Sequence, residues 1–396
     1  MSEDSVATAA GTSTEGAAPA PGRRRVAIVL PIVDEVLGNR HALLIASKLT
    51  RFADVDLFVS TTTESVADEL RQHCRPAILH VETVRSRSQR SMLKFLLSQL
   101  IPWHDVKLAR RLRVEGIRRP FDAVLVFANE GHGIARLLRR RGNAPLPLLA
   151  VCVMELPDYI FTLAHDRTHP RVRRLLSPLL LPILHIVEAR KLAAFDQCFA
   201  NSRWTLQQLQ ALYGVRGKGS LAVTDLDWFI PDRGALSGLP ARYIAVPTAS
   251  WAPEWNTWVE RLRSRNVAAV AFGPQRVPCL QNLGFVTDEE LRRVLGSAAA
   301  TLFLFDYEAL GLMPLESLAC GTPVITLPKE GPWWELRENP HVTFVRTADE
   351  AVERAVTAIR DFPSFERRQR IRESVAPFGP DGVARQLADA LLRRAK

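Results

Sequence analysis

The residues best suited to chemistry lie in one stretch, Phe305 to Glu335, reading F-D-Y-E-A-L-G-L-M-P-L-E-S-L-A-C-G-T-P-V-I-T-L-P-K-E-G-P-W-W-E. Its pattern predicts a strand, a loop, a helix, a tight turn and a second strand. Gly311 stands where the helix opens, so the backbone can approach a ligand there, and Pro314 suits a first turn whose amides have no helical partner. Such amides can hold a diphosphate. Glu308 falls in the preceding loop and Glu316 in the second helical turn, so both carboxylates can reach the crevice at the strand's carboxyl end. Carboxylates are strong acceptors for sugar hydroxyls. Taken singly, Glu316 is also what a helix dipole favours near its start, and Gly321 before Pro323 is what ends a helix. The combination at fixed spacing is what points to a site.

Around this stretch the chain alternates between apolar runs and helical periodicity. Val26–Leu30, Val55–Val59, Ala77–Val81, Ala123–Phe127 and Leu148–Val153 read as buried parallel strands, with a helix over His41–Leu49 and another from Trp204 to Gly214. A second series begins at Tyr243–Val246 and continues through Val267–Phe272, a helix over Asp288–Leu295, Thr301–Phe305, Gly311–Cys320, Val324–Leu327 and Val342–Val345. Two globular cores follow for a chain of 396 residues, 47% of them hydrophobic. The expected organisation is a disordered tail over 1–22, an N-terminal lobe over 23–235, a C-terminal donor-binding lobe over 236–380, and a terminal helix over 381–396 that packs back on the first lobe.

Charge is uneven: residues 21–220 hold 31 Lys and Arg against 17 Asp and Glu. That excess suits an anionic membrane or an anionic acceptor, or else reflects a base composition that favours arginine on solvated faces. No recognised nucleic-acid module accompanies it, so no nucleic-acid partner is expected. The longest apolar run, Leu175–Val187, is interrupted by two prolines and is too short to span a bilayer. The opening residues lack the basic and apolar regions of a secretory signal, so a cytoplasmic location is expected, with peripheral contact at the inner face of the membrane. The five cysteines have no metal or redox spacing and are expected to be buried free thiols. A dinucleotide-dependent oxidoreductase would carry Gly-x-Gly-x-x-Gly after the first strand, where this chain has Val36-Leu-Gly-Asn.

The Glu308 and Glu316 pair, with Ala319-Cys-Gly-Thr-Pro-Val and a turn ending at Glu335, resembles glycosyltransferase family 4. Weaker likeness extends to Gly284-Phe-Val-Thr-Asp-Glu-Glu-Leu, Ala200-Asn-Ser-Arg and Gly38-Asn-Arg-His-Ala-Leu. The resemblance implies a GT-B fold of class α/β, with two Rossmann-like doubly wound lobes facing across a cleft. It also implies transfer of a sugar, hexosyl or deoxyhexosyl, from a nucleotide-sugar to a sugar, lipid-linked or small-molecule hydroxyl acceptor. Retention of configuration is expected, with no cofactor and no metal. In that family the acid matching Glu308 contacts the transferred sugar and the one matching Glu316 the ribose, while amides near Gly311 and Leu312 meet the phosphates.

The chain departs from the family at three places. Ser250 and Trp255 stand where an Arg and a Lys are usual, Val36 and Leu37 where a Gly-Gly pair precedes Gly38, and Glu155 where a histidine is frequent. Lys329 and Arg40 are candidate replacement cations, Glu155 and His132 candidate groups on the acceptor side. Loss of the cationic clamp leaves a second reading open, a catalytically inactive binding or partner subunit.

Overall fold

The computed structural model describes residues 13–14, 22–33, 40–61, 78–83, 103–127, 133–139, 146–156, 171–231, 237–249 and 252–393. The chain divides into two compact units. One holds Met1–Ala200, Gln208–Gly219 and Ala384–Lys396, the other Asn201–Gln207 and Ser220–Val383.

In the first unit the apolar runs form strands because both faces of a parallel sheet are covered and no alternation is needed. Its elements are β1 (Ser13–Thr14), β2 (Arg25–Val33), α1 (Arg40–Leu49), β3 (Asp54–Thr61), β4 (Ile78–Thr83), α2 (Trp103–Arg118), β5 (Ala123–Phe127), α3 (Gly133–Arg139), β6 (Leu148–Val153), α4 (Arg171–Leu192), β7 (Gln197–Ala200), α5 (Arg203–Tyr213) and β8 (Gly219–Ser220), the last two bridging to the second unit. The sheet order is β1-β4-β3-β2-β5-β6-β7-β8, with β2 to β7 paired in parallel. Val26 to Leu30 and Ala123 to Val126 are at most 1% exposed. The direction of strand addition reverses between β2 and β5.

Ser13–Thr14, inside the segment expected to lack structure, pair antiparallel with β4. A sheet edge presents unpaired amides and carbonyls that any extended segment can satisfy without an apolar pattern. At the strand starts Arg25 pairs with the fully buried Asp56, whose second neighbour is His80 at 3.3 Å. Arg119 reaches Asp54 at 2.6 Å.

The second unit continues with β9 (Ile244–Pro247), α6 (Asn256–Ser264), β10 (Ala269–Phe272), β11 (Gln281–Asn282), α7 (Asp288–Ser297), β12 (Ala300–Phe303), α8 (Leu312–Ala319), β13 (Val324–Thr326), α9 (Glu330–Leu336), β14 (Val342–Phe344), α10 (Ala348–Arg360) and α11 (Phe365–Glu373); α12 (Pro380–Leu392) closes the chain. Its strands run β11-β10-β9-β12-β13-β14, all parallel, and addition reverses between β9 and β12. Thr287 and Glu290 form the reciprocal cap that starts α7, with the Thr287 amide donating to Glu290 at 2.8 Å. From Ala384 onward α12 belongs with the first unit, where the Gln197 side chain donates to the Ala390 carbonyl at 3.1 Å.

Cys152, Cys198 and Cys320 are buried free thiols, but Cys279 is exposed. It occupies a turn between β10 and β11 at φ +67°, where the chain has left the core. Cys74 lies outside the described residues. Among the described residues no helix is long and apolar enough to cross a membrane, and no group of three or more His, Cys, Asp or Glu could hold a metal ion.

Candidate functional site

In an open parallel sheet, ligands bind beyond the carboxyl ends of the strands where addition reverses. In the second unit those are β9 and β12. The chain leaves β12 through Leu304 and the fully buried Phe305, and the loop to α8 holds Glu308. Gly311 caps α8 at φ +86°, ψ +62°, a left-handed conformation that glycine adopts without strain. A Cβ there would meet the Pro332 ring at 2.9 Å.

The loop is tied down from three sides. Glu308 Oε1 accepts from the amides of Gly311 at 3.0 Å and Leu310 at 3.4 Å. The Glu308 amide donates to Glu330 Oε2 at 2.7 Å, while the Glu308 carbonyl accepts from the Gly331 amide at 3.1 Å. The Ala309 carbonyl accepts from Ser202 Oγ at 2.5 Å. Gly331 passes so near that a Cβ on it would lie 2.2 Å from the Ala309 oxygen, so no side chain is possible there. Glu330 itself is held at φ +53°, a strained conformation for a non-glycine residue, beside the loop it grips. Burial raises its carboxyl above the ordinary range, against the opposing pull of the Glu308 amide and Lys329.

Lys329 caps α9. Its ammonium donates to the Asp306 carbonyl at 2.6 Å and lies 5.0 Å from the centre of the Phe305 ring. This places a positive charge on the β12–α8 loop. Glu316 is 9% exposed in the second turn of α8. Glu335 is equally buried; it accepts from the Arg203 amide, from Ser220 Oγ at 3.3 Å, and pairs with the Arg203 guanidinium at 3.5 Å. Burial raises its carboxyl as well. Trp333 packs edge-on against Phe344, and Trp334 lies under the Arg337 guanidinium, so both rings are engaged in packing.

The far end of α8 is closed by cations. Arg368, 4% exposed, donates to the Ala298 carbonyl at 2.8 Å, to Thr322 Oγ1 at 2.6 Å and to the Gly321 carbonyl at 3.3 Å. Arg372 donates to the carbonyls of Ala319, Leu226 and Phe229. Burial draws the Arg368 guanidinium down to about 10, yet it stays charged at neutral pH.

Of the residues singled out in the sequence, Glu308, Gly311, Leu312, Glu316 and Lys329 share the β12–α8 loop and helix or the turn packed on it. The first-turn amides of Leu312 and Met313 lie outside the intrahelical ladder at the positive end of the helix dipole, a setting that favours an anion. Ser250, Gly38 and His132 lie outside the described residues, in the stretches that follow β9, β2 and β5. Glu155 is exposed directly after β6 in the first unit. Glu330 and Ser202 were not anticipated. The one trace of Glu330's role is its place before Gly331, since a conformation foreign to ordinary side chains is common in glycine-containing turns.

Residues 280–375 match the sequence profile of the family described as glycosyl transferases group 1. No curated protein matches the chain by sequence. Among solved structures, sucrose-phosphate synthase from Thermosynechococcus elongatus is similar at 17% identity and a TM-score of 0.68, over 93% of this chain and 98% of that one. A glycosyltransferase from Rickettsia africae is similar at 12% identity and a TM-score of 0.64, over 94% and 100%. HepE of Anabaena, solved with UDP and glucose, is similar at 16% identity and a TM-score of 0.61, over 92% and 99%. The chain thus has the GT-B fold of these structures, and the match to the glycosyl transferases group 1 profile falls within its second unit.

Proposed function

We propose that this protein transfers a sugar from a nucleoside diphosphate sugar to a hydroxyl acceptor, with retention of configuration. The observation that carries the proposal is the loop from Asp306 to Gly311. It is pinned by Glu330, Gly331 and Ser202 and leads into a glycine-capped helix at the reversal point of the sheet. In this reading the first-turn amides of α8 receive the diphosphate, Glu316 accepts from the ribose hydroxyls, and Glu308 orients the transferred sugar. The bond from the anomeric carbon to the diphosphate oxygen breaks, the acceptor oxygen bonds to the same face, and its proton passes to the departing diphosphate. Preorganised amides meet the charge developing on that oxygen without reorganising, which is the main catalytic task. Lys329 adds positive charge to the loop.

The donor is proposed to be a UDP-sugar, because HepE was solved with UDP and with UDP-glucose. The transferred group is a hexosyl or deoxyhexosyl unit, bound for a polysaccharide, glycolipid or natural product, and no metal is required. Glu155 and His132 are proposed to serve the acceptor, and Gly38 and Ser250 the donor phosphates. A thermal-shift panel of UDP, GDP, dTDP and ADP on the wild type and on Glu316→Ala tests this. One nucleotide should raise the melting temperature of the wild type alone, with chelator present or absent. A folded protein that no nucleotide stabilises would instead support an inactive partner subunit.

A further inference from the structure

The helices covering one face of the first sheet sort their charges in an unusual way. Helix α2 packs against β2 and β3 and touches α3, which in turn touches α4, so the three form one layer. Every acid on the described side chains of these helices is turned inward and used there. Asp105, fully buried, accepts from the amide of Gly133 at 3.1 Å and so caps α3. Glu115 is 8% exposed and lies 3.4 Å from both Arg111 and Arg118. Glu188 is 3% exposed and pairs with Lys191 at 3.3 Å.

What remains outside is basic or aliphatic. At 3.6 residues per turn, Val106, Ile117, Arg110, Val114, Lys107 and Arg118 fall in that order within about a third of the circumference of α2. All six are exposed, Ile117 to 83%. Among the described side chains of α4, those of residues 182–192, the exposed ones are Pro182, Ile183, Ile186 and Arg190, again without an acid.

We infer that this outer helical face docks on a bilayer surface containing anionic lipid. Aliphatic tips interleaved with cations suit the boundary between headgroups and acyl chains, where long basic side chains lie along the apolar layer with their charges in the headgroups. Each cation gains from the negative surface potential. Among its described side chains the exposed face of α2 carries no aromatic anchor of the kind that centres protein interfaces, and no ring on which a nucleic-acid base could stack. The inference goes beyond the donor site and does not depend on it.

The test is co-sedimentation of the full chain with phosphatidylcholine vesicles, with and without phosphatidylglycerol. Lys107→Glu/Arg110→Glu and, separately, Ile117→Ser are compared with the wild type. Wild type should bind the anionic vesicles and be released by salt. The charge-reversed variant should bind at least about tenfold more weakly with its melting temperature unchanged, and Ile117→Ser should weaken binding less while keeping the salt dependence. Equal binding to neutral vesicles, or undiminished binding by both variants, overturns the inference. So does retention on duplex DNA through the same residues with no binding to vesicles.

Discussion

The two ends of helix α8 are built to opposite purposes. Its carboxyl end is sealed: Arg368 and Arg372 reach in from α11 and occupy carbonyls of the helix end, the following turn and neighbouring segments. Its amino end has a glycine where a serine or aspartate would close it. The carboxylate that caps there, Glu308, comes from a loop that is itself held by other groups. One end stabilises the fold, and the other keeps preorganised amides beside a carboxylate. The lesson is that the helix is a fixed platform whose stability is supplied away from where the ligand is proposed to bind.

Substitutions can break that contrast. The largest effect is expected at the sealed end. Arg368→Ala leaves three buried acceptors without their donor and should cost about 3–5 kcal/mol in a denaturant titration. Nucleotide affinity per folded molecule should be unchanged. Gly331→Ala strikes the open end. The Ala309 carbonyl it meets at 2.2 Å is held by Ser202, so the clash has no easy relief; a loss of about 2–3 kcal/mol is expected, together with loss of nucleotide stabilisation.

Glu316→Gln should sharpen the contrast. Its stability should stay within about 1 kcal/mol of wild type, but nucleotide affinity by calorimetry should fall about ten- to a hundredfold, as for a lost hydrogen bond to a charged group. The smallest effect concerns Glu335. Burial raises its folded-state value, so its contribution to stability is fully present below the ordinary carboxylate range and is lost as pH rises through that raised value. Melting curves from pH 4 to pH 8 should show this decline in the wild type and a flatter profile in Glu335→Gln.

Much of this design could be read from the chain. Strands such as Ala123–Phe127 and Leu148–Val153 announce themselves because both faces are buried and the run is continuously apolar. Gly311 and Glu316 are legible because a glycine opening a helix, an acid one turn later and a closing Gly-Thr-Pro are local features. The ties that fix the loop are not local. Glu330 grips Glu308 across 22 residues and Ser202 grips Ala309 across 107, and neither side chain differs by type from an ordinary surface acid or a helix-capping serine. Lys329 could be recognised as a cation near the site, but its engagement with the Asp306 carbonyl could not. Arg368 and Arg372 sit in a strongly basic helix that looks solvated throughout, and only the fold turns their guanidiniums inward. Cys279 looked buried because composition cannot report a turn that leaves the core.

The central claim is that the open end of α8 holds the donor diphosphate. A crystal structure with the nucleoside diphosphate that gives the largest thermal shift tests it most directly. The diphosphate is expected on the first-turn amides of Leu312 and Met313 and the ribose on Glu316. A nucleotide bound elsewhere, with this loop and helix start unoccupied, would contradict it.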